Sequence, residues 1–194
     1  MKFTQVPSDT FQKLQLNAGV IASDFTPGTG SLTASNILGA TGGGVSFEAV
    51  PNFKDFGEGI DNVPANTKEL KRIQDYAVKI SGTFKTLDLS LAKSLVAGGS
   101  TASNKLTPSH DLASSDFDDI WWIGDYSDKN GSTNGGFIAI HLMNALSTGG
   151  LKITSADKDK GSFDFEYTAH YSLSTPDIVP FEVYVKTGTA ESNG

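Results

Sequence analysis

The order of apolar and polar residues predicts strands along four stretches of this chain, three by alternation with a period of two and one by a continuous apolar run. Over residues 76–84, Tyr76, Val78, Ile80, Gly82 and Phe84 share one side, while Lys79, Ser81 and Thr83 take the other; this is the mark of a half-buried strand. Residues 163–173 alternate more strongly, with Phe163, Phe165, Tyr167, Ala169, Tyr171 and Leu173 set against Asp164, Glu166, Thr168, His170 and Ser172. One face is then hydrophobic and the other wet. Phe181, Val183 and Val185 alternate with Glu182, Tyr184 and Lys186, after a proline, Pro180, that sits acceptably at a strand start. Residues 137–143 are apolar on both faces apart from His141, which predicts a central strand covered on both sides.

Turn chemistry links these strands. The 156–161 loop, with Gly161 available for positive φ, joins 151–154 to 162–173 as an antiparallel hairpin, and 128–136, containing Asn130-Gly131 and Gly135-Gly136, joins 120–126 to 137–143. Residues 45–56 read as a strand or extended arm, weakened by Pro51. One helix interrupts the β pattern. Asp88 is its predicted N-cap, Leu91, Ala92, Leu95 and Val96 recur at helical spacing, and Gly98-Gly99 stops it. Trp121 and Trp122 are adjacent on a strand and so point to opposite faces. At most one of them is core, and the other meets a helix or another subunit. Residues 23–44, 55–66 and 98–115 read as long loops, and three such loops in one small domain point to ordering by a partner.

Composition agrees with a β protein: Gly, Ser and Thr supply nearly a third of the 194 residues, a turn-rich and strand-favouring mixture. That length fits one domain with a substantial core. No run of 18 apolar residues predicts a membrane span, and residues 1–5 lead into polar sequence without the apolar segment of a secretion signal. The chain has no cysteine, which excludes disulfides and thiolate chemistry and fits a reducing cytoplasm. A net charge of −7 with Arg72 as the single arginine argues against a surface that grips phosphate backbones.

Catalytic constellations are absent. The histidines are His110, His141 and His170, two in strands and one in a polar loop, and no H-E-x-x-H, G-x-S-x-G, P-loop or G-x-G-x-x-G pattern occurs. Gly42-Gly43-Gly44 lacks the Lys-Ser or Lys-Thr that a phosphate loop needs and reads as a hinge. The 125–134 loop fails the EF-hand register, and the lysines at 158 and 160 oppose a cation at Asp157 and Asp159. Asn130-Gly131-Ser132 matches a glycosylation sequon, which has no force without secretion. No catalytic residue, cofactor or metal ligand set is therefore expected. Asp111, Asp116, Asp118, Asp119, Asp125 and Asp128 form a run without Lys or Arg that repels DNA. It reads as a solvated loop, an anionic wall or a docking site for a basic patch. With Trp121 and Trp122 beside it, a carbohydrate-binding β-sandwich is the alternative function, and a small hydrolase a third.

The runs Asn66-Thr67-Lys68-Glu69-Leu70-Lys71-Arg72, Asp119-Ile120-Trp121-Trp122-Ile123-Gly124-Asp125-Tyr126, Gly136-Phe137-Ile138-Ala139-Ile140-His141, Asn144-Ala145-Leu146-Ser147-Thr148-Gly149-Gly150 and Val179-Pro180-Phe181-Glu182-Val183-Tyr184 resemble the tail tube (major tail) protein of long-tailed, siphovirus-like phages and prophages of Gram-positive bacteria. The resemblance runs from about residue 11 to 186, in overall pattern and order. It implies a mainly β fold with one flanking α-helix: two packed antiparallel sheets, a β-sandwich or partly closed barrel. The whole chain, 1–194, is then a single domain with inter-subunit loops at about 23–66 and 98–115 and a flexible tail at 187–194. It also implies six subunits in a ring, a homo-hexamer whose rings stack into a tube and meet other tail proteins. DNA passes through without tight binding, nothing inserts into a membrane, and the particle is a virion assembled in the host cytoplasm. By position, Phe53, Phe56 and Trp122 are candidate subunit contacts, and Asp164 and Glu166 candidate channel-lining residues. A conduit for a polyanion needs an acidic or neutral wall, which the surplus of carboxylates fits.

Overall fold

The computed structural model describes residues 6–126 and 135–188, and a strand falls on each of the four stretches that the apolar pattern marks. They are β1 (Gln15–Ala22), β2 (Ile37–Gly39), β3 (Thr41–Asp55) and β4 (Lys71–Phe84), then β5 (Ser100–Ala102) and β6 (Lys105–Thr107) after the helix α1 (Leu89–Leu95). β7 (Asp118–Tyr126), β8 (Phe137–Ser147), β9 (Lys152–Thr154), β10 (Ser162–Thr168) and β11 (Phe181–Lys186) complete the set. The protein is mainly β with one helix, as expected.

Nine strands form one antiparallel sheet in the order β2-β1-β7-β8-β10-β4-β3, with β11 added to β8 and β9 to β10; β5 and β6 make a separate ribbon. The sheet turns at β8. Residues Phe137–Leu142 lie between β7 and β11, whereas Leu146 and Ser147 pair with Thr168 and Tyr167 of β10. Strands β2-β1-β7-β8-β11 form a first leaf and β3-β4-β10-β9 a second. The expected two separate sheets are thus two leaves of one hydrogen-bonded sheet, and among the described strands no ladder closes a barrel.

The leaves share one core. Ile21, Ile120, Ile140 and Leu142 of the first meet Val78, Ile80, Phe84, Phe165 and Tyr167 of the second, and Leu91 and Leu95 of α1 complete the cluster. Phe84 and Phe165 rings lie 4.4 Å apart. α1 is in place because its ends are local: the Asp88 carboxylate accepts from the Leu91 N–H at 2.7 Å, the N-cap bond the sequence predicts. Its carboxyl end hands over to Gly98 and Gly99 at φ 114° and 127°. Buried Tyr167 places its hydroxyl 2.9 Å from that of Ser94, which satisfies both groups. Burial pushes the phenol up to about 12, with the Ser94 bond acting in the opposite direction.

Several expectations need correction. Residues 15–22 form β1, which the alternation does not reveal: Asn17 and Gly19 adopt φ of 62° and 73°, and the ladder to β7 skips between Leu16 and Val20. The inter-subunit loop implied over 23–66 contains β2 and β3; β3 is the strand expected over 45–56, begun four residues earlier, and its Pro51 is tolerated because β3 is an edge strand. Residues 98–115 contain the β5–β6 hairpin. The strand expected over 163–173 ends at Thr168. There the chain changes partner: the Ala169 N–H still bonds Val78, but that of His170 bonds Met143, and Leu173 is fully exposed. In the β9–β10 hairpin the positive φ falls on Lys158, at 58°, and not on Gly161. Most of the 128–136 turn, Asp128, the Asn130 sequon and residues 189–194 lie outside the described residues.

Candidate functional site

Two surfaces stand out, an arm and a sheet face. The arm is the distal half of the β3–β4 ladder. β10 accompanies β4 only from Lys79 to Phe84, while β3 and β4 continue pairing from Val50–Ala77 out to Asp55–Lys71. Two strands without a third neighbour then project beyond the core. The ladder shifts register between Asn52 and Phe53, and the apolar side chains beyond that point are uncovered: Phe53 is 57% exposed, Phe56 59% and Ile73 47%. Cations surround them, with Lys71 Nζ 5.1 Å from the Phe53 ring centroid and Lys54 and Arg72 beside Phe56 and Ile73 in a shallow groove. The arm ends in an ordered tip. Asp55 accepts from the backbone N–H groups of Gly57 at 2.8 Å and Asn66 at 2.9 Å; these two bonds hold its carboxyl below the usual carboxylate range. Of the sequence candidates, Phe53 and Phe56 therefore fall together on this arm.

The sheet face is the outer side of the second leaf. Register places Ser46, Glu48 and Asn52 of β3, Asp75, Lys79, Ser81 and Thr83 of β4, Asp164, Glu166 and Thr168 of β10, and Lys152 of β9 on one surface. Asp164 and Glu166, the other predicted pair, are thus on a common face. Asp164 accepts from Thr83 Oγ1 at 2.9 Å, and Glu166 accepts from Thr148 Oγ1 at 3.2 Å. Lys79 Nζ sits between Glu48 Oε2 at 3.5 Å and Glu166 Oε2 at 3.6 Å. These exposed pairs contribute little to stability, but they offset the charge of Lys79. Glu48, Asp75, Asp164 and Glu166 outnumber Lys79 and Lys152, so the face is hydroxyl-rich with a surplus of negative charge.

The tryptophans do take opposite faces of β7. Trp122 turns inward, half-buried against the main core, lies over Gly19 and Gly124, and donates its indole N–H to the Ala18 carbonyl at 3.0 Å. This third interface candidate is separate from the arm and packs within its own chain. Trp121 faces outward but is only 7% exposed. His141 stacks on it, centroids 4.0 Å apart and planes 4° from parallel, and Phe25 from the segment after β1 meets it edge-on at 5.6 Å. Residues 23–36, expected as an open loop, are held partly by this contact. Neither indole offers the open face a sugar would stack on.

The aspartate run also divides. Asp116 accepts from the Ala113 N–H at 2.8 Å, Asp125 from Asn17 Nδ2 at 2.6 Å, and Asp119 from the Asn144 N–H at 3.1 Å. These carboxylates hold their own chain. A polar cleft of about 460 Å³ beside α1 is lined by Asp88, Ser90, Lys93, Ser94, Asp116 and Asp118 among others, with no histidine. Among the described residues no group of three or more His, Asp and Glu side chains is arranged to hold a metal, and no helix is long and apolar enough to cross a membrane. Comparison of the chain with protein-family models and with curated proteins finds no match.

Proposed function

We propose that this protein is the structural subunit of a phage tail tube, a homo-hexamer whose rings stack into a conduit for DNA and engage other tail proteins, in a virion assembled in the host bacterial cytoplasm. The observation that carries the reading is the arm: a two-stranded extension with Phe53, Phe56 and Ile73 uncovered gains nothing for a solitary molecule. Apolar side chains grouped on a projecting element mark a contact surface. The outer face of the second leaf supplies the complementary property. Its hydroxyls and excess carboxylates repel a polyanion that must slide past without binding, so Asp164 and Glu166 line the channel in this reading. The protein acts by assembly and not by catalysis.

Electron microscopy of the purified chain tests this. Rings or tubes of uniform diameter with six subunits per turn are expected, and Phe53→Asp with Phe56→Asp abolishes them while the protomer stays folded. Assemblies of another symmetry, or rings unchanged in the double variant, overturn it.

A further inference from the structure

The outward face of the first leaf holds a polar group that the tube reading leaves unused. His141 of β8 is flanked across the ladder by Trp121 of β7 and Glu182 of β11, and its side chain is 12% exposed. Its Nε2 lies 3.0 Å from Asp119 Oδ2. Its Nδ1 is buried without a hydrogen-bond partner, and the atom facing it is Glu182 Oε2, at 3.6 Å. That separation is an ion-pair distance, too long for a hydrogen bond. Both carboxylates are themselves held, Asp119 through its other oxygen by the Asn144 N–H and Glu182 by the Tyr184 hydroxyl.

Neutral imidazole has one N–H and one bare lone pair. Either neutral tautomer therefore turns a lone pair toward a carboxylate, against Asp119 in one case and Glu182 in the other. Only the imidazolium turns an N–H toward both carboxylates, and stacking on the Trp121 face favours the cation further. The groups facing the ring are Asp119 and Trp121 from β7 and Glu182 and Tyr184 from β11; no lysine or arginine pairs with either carboxylate among the described residues.

We propose that Asp119, His141 and Glu182 form a proton-operated latch that fastens the C-terminal strand β11 to the sheet. β11 is hydrogen-bonded to β8 alone; among the described residues its charged side chains reach other strands at this histidine and where Lys186 Nζ lies 5.9 Å from the Phe137 ring centroid. With His141 protonated, a short movement of the half-exposed Glu182 closes the Nδ1 contact, and one side chain bridges β7, β8 and β11. Without the proton, the Glu182 side of the bridge is lost and β11 is held by its ladder and by Phe181 and Tyr184. The hold on β11 is therefore firmer when His141 carries both protons than when it carries one. The latch does not depend on the tube reading.

Amide exchange at 182–186, corrected for intrinsic rates and followed from about pH 8 down to about pH 5, above the carboxylate range, tests it. In the wild type, protection of these amides rises about three- to tenfold as pH falls, in line with a charge-assisted hydrogen bond that is partly solvated. Glu182→Gln, half-exposed and able to keep the Tyr184 contact, flattens that rise while leaving protection in β4 unchanged. Nitrogen chemical shifts of the His141 ring give a second reading: both nitrogens protonated at the acid end are expected. Equal pH slopes in wild type and Glu182→Gln, or an Nδ1 that never takes up a proton, overturn the proposal.

Discussion

Single residues carry unequal weight in this fold. Gly19 combines a φ of 73° with a neighbour that leaves no room: a Cβ there would meet Trp122 Nε1 at 2.5 Å and the Ile123 carbonyl oxygen at 2.6 Å. The bulge in β1 and the seat of Trp122 are one feature. Gly19→Ala should cost at least the roughly 1–3 kcal/mol of a strained backbone position, seen as a lower denaturation midpoint in urea; an unchanged midpoint would show that the bulge shifts freely. Tyr167 makes a different prediction. Its folded phenol ionises near 12, against an ordinary value of 10.0, so its contribution is fully present below about 10 and is lost as pH rises through about 12. Alkaline unfolding curves of wild type and Tyr167→Phe should therefore converge over that interval, and curves that stay parallel would contradict the buried, neutral phenol.

At the scale of elements, the arm and the helix show opposite dependence on their surroundings. α1 is seven residues long, too short to persist alone, and is kept by its Asp88 cap and by Leu91 and Leu95 in the core. The arm has its ladder and its tip but no covered face beyond Tyr76, which touches Phe181 at 5.6 Å. Replacing Phe53 and Phe56 by Asp removes no buried contact, so the protomer's stability should change by no more than about 0.5 kcal/mol per site while assembly is lost. A large fall in the denaturation midpoint of the isolated protomer would mean that the arm folds back onto its own chain. Helix and cap are legible in the sequence because both are local. So are β11 and β4 from Tyr76 onward, whose apolar period is unbroken, and β8, whose run is apolar on both faces. β1 is not, because Asn17 and Gly19 break its period at the bulge, and the end of β10 is not, because Ala169 and Tyr171 keep the apolar period after the chain has left its partner.

For the whole molecule, the decisive property is where the charge lies. A net −7 does not say where the carboxylates gather; the register between β3, β4, β10 and β9 does, by placing Glu48, Asp75, Asp164 and Glu166 around Lys79 and Lys152. Asp164→Lys with Glu166→Lys reverses that face at exposed positions. Binding of duplex DNA should then appear at low salt, with a log–log salt dependence steeper by up to about two phosphate contacts, measured by fluorescence anisotropy. Wild-type protein that binds DNA equally well would remove the basis for a permissive channel wall. The sequence by itself determined the β class, the helix with its cap, the opposed tryptophans and the absence of thiol chemistry, because each depends on composition or on neighbours a few residues away. Tertiary structure alone decided that the leaves join through β8, that Trp121 and not Trp122 lies under His141, that Asp119 and Glu182 meet at that histidine, and that Phe53 and Phe56 stay uncovered. These follow from pairing between residues 12 to more than 100 positions apart, where register and burial are set by which faces meet and no local period can report them.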